Sequence, residues 1–379
     1  MTSIQGNNRP ERPIKSKITV CVRLRPTIQE DYQHAHVVRN GPEICVHLKS
    51  DGQTVKIIQD RFHSRLFKVD HTLNSTVSQT EVYNIAMKPI VNDVLRGYNG
   101  TAIAYGPNNS GKTYTMFGNE HKLGMAHFAV TDIFDRVDQY EERGLVAKVF
   151  MSFYQVYVEQ VYDLLAEMPS SKSIPLPSLN IREDNVRGVY LENLSTYNIK
   201  DKATANALIA EGLMKRKAFA VNYNIKPSRA HTVFQIFIDL EENTAQANEE
   251  VNRSASSDET PLTNNSSINE YEIKKFVVRR RKLVIVDLAG TERVSSHRNT
   301  SKQQVKENSI INKSIVALGN CISALANQNM DHVPFRDSKL TRLLAETLSG
   351  NSKACLFTNI SPCFYNYEET YSALKFATR

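Results

Sequence analysis

The run Gly106-Pro107-Asn108-Asn109-Ser110-Gly111-Lys112-Thr113 has the spacing G-x-x-x-x-G-K-[ST] of a loop that cradles phosphates. Each residue type has a chemical reason. Glycine lets the backbone bend tightly and approach a ligand closely. Unpaired N–H groups at the start of a helix, aided by its dipole, attract anionic oxygens. Lys112 is expected to reach the β- and γ-phosphates, and the Thr113 hydroxyl to hold Mg2+. The flanks agree. Thr101 to Tyr105 reads as a short buried strand, and Tyr114 to Phe117 can begin a helix. A chance Gly-Lys-Thr turn has no reason to carry both.

Such a loop needs partners that hold Mg2+ from the far side and sense the γ-phosphate. Asp287-Leu288-Ala289-Gly290-Thr291-Glu292 follows the apolar strand Leu283-Val284-Ile285-Val286. Asp287 is expected to bind the Mg2+ shell through water, and the Gly290 N–H to meet the γ-phosphate. An Asp at a strand end is often only a turn residue; the upstream loop favours the binding role here.

The elements that must position these groups are legible in outline. Lys17 to Leu24 looks like a central strand, and Val46 to Phe67 fits a hairpin or edge strands. Ser78 and Glu81 form a capping box ahead of a helical apolar pattern, which Pro89 is expected to kink and Gly97 to stop. Lys202 to Ala218 suggests a helix and Thr232 to Leu240 a strand. Strands are expected at Ile273 to Val278 and Lys282 to Val286, with the basic run Arg279 to Lys282 solvated between them. Gln304 to Asn327 carries Ile310, Ile311, Ile315, Leu318, Ile322 and Leu325 on one helical stripe. Strands alternating with helices imply an α/β fold with a mostly parallel or mixed sheet covered on both faces.

The chain has 379 residues, 41% hydrophobic and 23% charged, with a net charge of +7. A basic surface favours an acidic partner, whether nucleic acid, anionic lipid or protein. The five cysteines show neither metal spacing nor a C-x-x-C pair, which predicts reduced thiols in an intracellular protein. No run of 18 apolar residues occurs, so no membrane span is expected. Residues 1–13 read as a flexible tail. Residues 241–270, rich in Asn, Ser, Thr and Glu, read as a disordered surface insertion.

Together with the phosphate loop and Asp287 to Glu292, the run Ser228-Arg229-Ala230-His231 completes a set that resembles the kinesin motor domain. The resemblance covers residues 14–379. Arg23-Leu24-Arg25-Pro26 is similar to the family's adenine-side motif, and Ile311-Asn312-Lys313-Ser314 to its long tubulin-facing helix. His332 to Leu344 (HVPFRDSKLTRLL) is a near-verbatim family motif. The resemblance implies a P-loop NTPase-type fold and an ATP-dependent microtubule motor using ATP and Mg2+. It implies that Arg23, Arg25, Pro26 and Tyr114 frame the adenine and ribose. Lys112, Thr113, Ser228 and Asp287 would hold phosphate and Mg2+, and Arg229 with Glu292 would pair to close two switch segments. Lys313, Arg336, Lys339 and Arg342 would meet acidic tubulin, the last three at a spacing that shares one helix face. A cytoplasmic, cytoskeletal location follows. Some stretches are similar to the ninth kinesin family, linked to cilia and flagella. Any dimerisation is expected through regions outside this chain. No N-K-x-D guanine motif appears, and the basic residues sit in tubulin-type motifs, so nucleic acid is not the expected partner.

The chain departs from the family pattern. Pro107, Asn108 and Asn109 depart from the usual loop residues, Pro107 stiffening the loop and Asn109 adding bulk where a small residue is usual; Pro227 replaces a switch serine and Ala230 another. These changes leave a second reading, a nucleotide-gated microtubule-binding protein with slow or absent hydrolysis, because water placement carries much of this catalysis.

Overall fold

The computed structural model describes residues 18–33, 41–142, 145–167, 177–184, 188–222, 225–243, 276–291, 302–326, 332–348 and 352–379. The expected tail at 1–13 and residues 244–270 of the expected insertion lie outside the described residues. Residues 241–243 prolong a strand.

The strands are β1 (Thr19–Leu24), β2 (Val46–Leu48), β3 (Thr54–Ile58), β4 (Ser64–Lys68), β5 (His71–Leu73), β6 (Asn99–Tyr105), β7 (Val146–Tyr157), β8 (Gln160–Asp163), β9 (Ile181–Asp184), β10 (Gly188–Leu191), β11 (Tyr197–Ile199), β12 (His231–Asn243), β13 (Phe276–Asp287) and β14 (Ser352–Ile360). The helices are α1 (Gln29–Gln33), α2 (Gln79–Val82), α3 (Lys88–Leu95), α4 (Lys112–Phe117), α5 (Met125–Glu141), α6 (Lys202–Asn222), α7 (Lys302–Ala326), α8 (Lys339–Leu343), α9 (Ala345–Leu348) and α10 (Tyr367–Ala377).

The main sheet runs β11-β7-β12-β13-β6-β14-β1-β5, with β8 paired to β7. Strands β13, β6, β14, β1 and β5 pair in parallel. The pairs β13–β12, β12–β7 and β7–β11 are antiparallel, so the sheet is mixed. Period-two alternation sends Ala102, Ala104, Leu283 and Ile285 to one face, where they pack with Val91 of α3, Ile133 of α5 and Ile209 of α6. Ile103, Tyr105, Val284 and Val286 face the other way, onto Ile311 and Leu318 of α7 and Leu374 of α10. Each buried aliphatic side chain contributes about 1.5–3 kcal/mol, so both layers hold the sheet firmly.

Several local signals behave as their chemistry predicts. Ser78 and Glu81 form the reciprocal cap of α2. The run is interrupted by a π-turn at Tyr83–Met87, and Pro89 sits in the first turn of α3 that follows, where a missing N–H costs nothing. Gly97, at φ 116°, ends the run. Val46 to Phe67 forms the separate antiparallel sheet β2-β3-β4.

The basic run is a correction. It is not a break between two strands but part of the continuous strand β13, although Arg280 keeps an exposed side chain as expected. Arg280 makes a bidentate pair with Asp239, Arg281 donates to Leu95 O, and Lys282 pairs with Glu346. By length and composition Val305–Ala326 could cross a membrane. Its Ile311, Leu318 and Cys321 are buried, which is the pattern of a core helix in a globular fold.

Candidate active site

The phosphate loop leaves β6 at Tyr105 and enters α4 at Lys112, at the carboxyl ends of the parallel strands, where open α/β sheets bind ligands. Gly106 has φ 143°, and a Cβ there would lie 2.1 Å from the Asn359 carbonyl oxygen, so only glycine fits. Gly111, at φ 93°, caps α4. Asn109 also adopts a left-handed backbone, at φ 56°, which Asn tolerates better than most residues. Pro107 is buried and offers its carbonyl to both Ser110 Oγ at 2.8 Å and Lys112 Nζ at 2.7 Å. The lysine thus arches over its own loop, in reach of whatever anion the loop holds.

Thr113 and Asp287 come together as expected. Thr113 Oγ1 donates to Asp287 Oδ2 at 2.5 Å. Register explains it: β13 pairs with β6 so that Asp287 lies beside Ala104, two residues before the loop. The same Oδ2 accepts from Arg216 Nη1 at 2.8 Å. Arg216, on α6, also donates through Nη2 to Pro227 O at 3.1 Å. Asp287 Oδ1 is buried and has no partner among the described residues. A buried carboxylate oxygen left open beside a threonine hydroxyl is a hard oxygen donor set, and it fits the water shell of Mg2+.

Ser228 and Arg229 lie in a 3-10 turn, Pro227–Arg229. Pro227 occupies the first position of that turn, where its missing N–H removes no bond. The consecutive amides after Asp287 are all engaged. Leu288 N donates to Ala104 O, Gly290 N to Ser228 O at 3.0 Å, and Thr291 N to Gly106 O at 3.3 Å. The Gly290 N–H thus joins the segment after Asp287 to the turn that carries Ser228. Glu292, the expected partner of Arg229, lies outside the described residues.

The remaining amide, Ala289 N, donates to Nδ1 of His231 at 3.1 Å. Nδ1 is therefore unprotonated and Nε2 carries the hydrogen, which points to Ser314 Oγ on α7 at 2.8 Å. Ser314 Oγ in turn donates to Ile311 O at 2.6 Å. Burial, with Lys112 and Arg216 adding like charge, lowers the His231 pKa to about 3, so the ring is neutral. One histidine thus joins the strand after Arg229, the segment after Asp287 and the long helix.

On the other side of the loop, Arg23 is buried. Its Nη1 donates to Gln79 Oε1 at 2.6 Å and Thr115 Oγ1 at 2.9 Å, and its guanidinium lies 5.3 Å from the Tyr114 ring centre. It supports Tyr114 from within rather than projecting into solvent. Arg25 makes a bidentate pair with Asp31 at 2.6 and 2.7 Å and also donates to Pro26 O. Pro26 is exposed and the Tyr114 side partly so, which leaves these two as the accessible surfaces for a base.

The four cations expected to share an acidic partner are arranged less simply than their spacing suggests. Lys313 is exposed on α7. Arg336, Lys339 and Arg342 do not share one helix. Arg336 lies in the 3-10 turn Phe335–Asp337, and Ser338 then caps the separate helix α8 with a capping box through Thr341. Arg336 and Arg342 converge instead on Glu183 of β9, at 3.8 and 3.6 Å. The Lys339 backbone N–H is held by Glu159 Oε2 at 2.8 Å, from the β7–β8 turn.

Residues 23–379 match the family model described as the kinesin motor domain. This chain belongs to the kinesin family. It is 34% identical over 372 residues to the chloroplastic kinesin-like protein KIN-7L of Arabidopsis thaliana, covering 98% of this chain and 33% of that protein. It is 33% identical to the kinesin-like protein klp-20 of Caenorhabditis elegans, covering 96% of this chain and 50% of that one. The chain thus spans a third to a half of these relatives. A solved fast kinesin superimposes with TM-score 0.77 at 30% identity, covering 96% of this chain and 91% of that one. A KIF14 dimer bound with AMP-PNP to a microtubule gives TM-score 0.78 at 28% identity, covering 96% and 93%. These names lend no support to the ninth-family likeness.

Sequence reasoning missed three residues of this kinesin's site. Arg216 reads as one more cation on α6. Gln79 reads as a helix start, yet its Nε2 donates to Tyr114 O at 2.7 Å and Leu123 O at 3.1 Å. Asn359 is the next-to-last residue of β14, and its Nδ2 donates to Thr115 Oγ1 at 2.8 Å. Asn359 alone had a findable cue, as a polar residue near the end of the strand beside the loop strand.

Proposed function

We propose that this chain is an ATP-dependent microtubule motor domain that hydrolyses ATP faster on microtubules. The observation that carries this reading is the unbroken hydrogen-bonded path from the phosphate loop to the long helix. It runs from Gly106 O to Thr291 N, through the amides that follow Asp287, and by way of Ala289 N and His231 to Ser314. A change at the nucleotide is thereby conveyed to α7, which exposes Lys313 on its outer side.

In this reading the loop amides and Lys112 bind the triphosphate, and Tyr114 with Pro26 lines the base. Thr113, Ser228 and Asp287 would hold Mg2+, which would neutralise phosphate charge when bound. Ser228 and Gly290 part to admit the γ-phosphate, and Arg229 pairs with Glu292 to close the two switch segments and position the attacking water. Lys313, Arg336, Lys339 and Arg342 bind acidic tubulin, so binding weakens as salt rises. A cytoskeletal location follows, and a cilium or flagellum remains the finer proposal from the ninth-family likeness.

The reading with slow or absent hydrolysis is not favoured. Pro227 and Asn109 each suit the backbone that they occupy. The test is phosphate release titrated with microtubules, for the wild type and for Pro227→Ser. Stimulation in both is the expected result. No rise above the basal rate in the wild type overturns the motor reading, and a rise only in Pro227→Ser restores the slower one.

A further inference from the structure

We propose that Asn109 and Glu30 form a clasp across the mouth of the nucleotide cleft that slows nucleotide release; this rests on the ATP-binding reading above. Asn109 Nδ2 donates to Glu30 Oε2 at 2.7 Å, joining residues 79 apart in sequence. Asn109 stands exposed at the tip of the phosphate loop, on the β6 side. Glu30 lies in α1, which follows Arg25-Pro26 on the β1 side. Strand β14 separates β6 from β1, so this contact reaches over the end of an intervening strand.

Both walls are held. On the β1 side, Asp31 accepts two hydrogen bonds from Arg25 and one from Ile28 N at 2.8 Å, and the Arg25–Asp31 pair is only 9% and 4% exposed. Arg25 N also donates to Ile360 O at 3.1 Å, tying that wall to β14. On the β6 side, Asn109 takes its left-handed backbone in a loop pinned by Ser110 and Lys112 on Pro107 O. Asparagine meets two needs there. It accepts φ 56°, and it carries an amide long enough to reach a carboxylate that a serine or alanine would leave unbonded. A nucleotide with its phosphates in the loop and its base toward Tyr114 and Pro26 lies between these walls. Its departure requires them to separate, and the Asn109–Glu30 bond opposes that separation.

The experiment uses the 379-residue chain loaded with fluorescent ADP and chased with excess ATP in a stopped-flow instrument, without microtubules. The variants are Asn109→Gly, Glu30→Ala, the two combined, and Glu30→Gln. Glycine accepts the left-handed backbone and removes the donor. Each of the first two is expected to release ADP about three- to tenfold faster, in keeping with one exposed hydrogen bond to a charged group. The double variant should match either single one, because they break the same bond. Glu30→Gln retains an acceptor and should stay near the wild-type rate. Singles that release at the wild-type rate, or a double variant whose acceleration is the product of the two, overturn the clasp; the second result would mean that glycine merely loosens the loop. Asn109→Asp sets like charges face to face and must also accelerate release, most at low salt. A wild type that binds no fluorescent ADP overturns the ATP reading itself, which is a separate result.

Discussion

Arg216→Met tests the claim that Asp287 is held in place by a buried cation as well as by Thr113. The two side chains are 5% and 1% exposed, with Nη1 2.8 Å from Oδ2. Solvent screening is therefore slight, and removing one partner leaves the other charge stranded, at a cost of about 3–5 kcal/mol. The bond from Nη2 to Pro227 O is lost as well. An unfolding entropy of about 2.1 cal/mol/K per residue, over the 379 residues, amounts to about 0.8 kcal/mol/K. The melting temperature should thus fall by about 4–6 °C. The assay is thermal melting of the nucleotide-free protein, followed by fluorescence. Adding Asp287→Asn removes the stranded charge, so the double variant should melt higher than Arg216→Met alone. An Arg216→Met protein within about 1 °C of wild type, or a double variant no more stable than the single one, refutes the reasoning.

Three other outcomes are expected. The His231 pKa is lowered from 6.5 to about 3, by burial first and then by Lys112 and Arg216. The unfolded chain therefore takes up a proton below about pH 6.5 while the native chain does not, and stability is lost as pH falls, by up to about 1.4 kcal/mol per pH unit. Urea unfolding from pH 7 to 5 should show this slope reduced in His231→Asn; equal slopes would refute it. Glu183→Gln frees Arg336 and Arg342 and should tighten microtubule co-sedimentation by up to about fivefold at low salt, the limit set by exposed ion pairs. Unchanged or weaker binding would count against those cations facing tubulin. Gly106→Ala drives a methyl group to 2.1 Å from Asn359 O and should abolish fluorescent-ADP binding, whereas Gly111→Ala, with nothing within 4 Å of its Cβ, should weaken it less. Equal losses would show that backbone conformation, not crowding, decides both.

The amino-acid sequence by itself determined the features whose parts lie close together in the chain. The phosphate loop is one, because eight consecutive residues carry the bend, the amides, the cation and the hydroxyl. The helix α7 is another, because a 3.6-residue period shows in any sufficiently long stretch. Asp287 was legible too, as the acid that ends an apolar strand.

Contacts between distant segments depended instead on how the elements pack. Arg216 became part of the site because α6 packs so as to bring its guanidinium to Asp287, 71 residues on. The Gly290 amide turned to Ser228 because the antiparallel pairing of β12 with β13 brings their ends together, and His231 reached Ser314 because α7 packs on that face of the sheet. The even spacing of Arg336, Lys339 and Arg342 suggested one helix face, but Ser338 caps a new helix between them. Arg281 and Lys282 looked solvated until Leu95 and Glu346 met them, while the exposed Arg280 still found Asp239. A hydrogen bond or ion pair depends on distances of a few ångströms, which the packing of separate elements sets and no local period encodes.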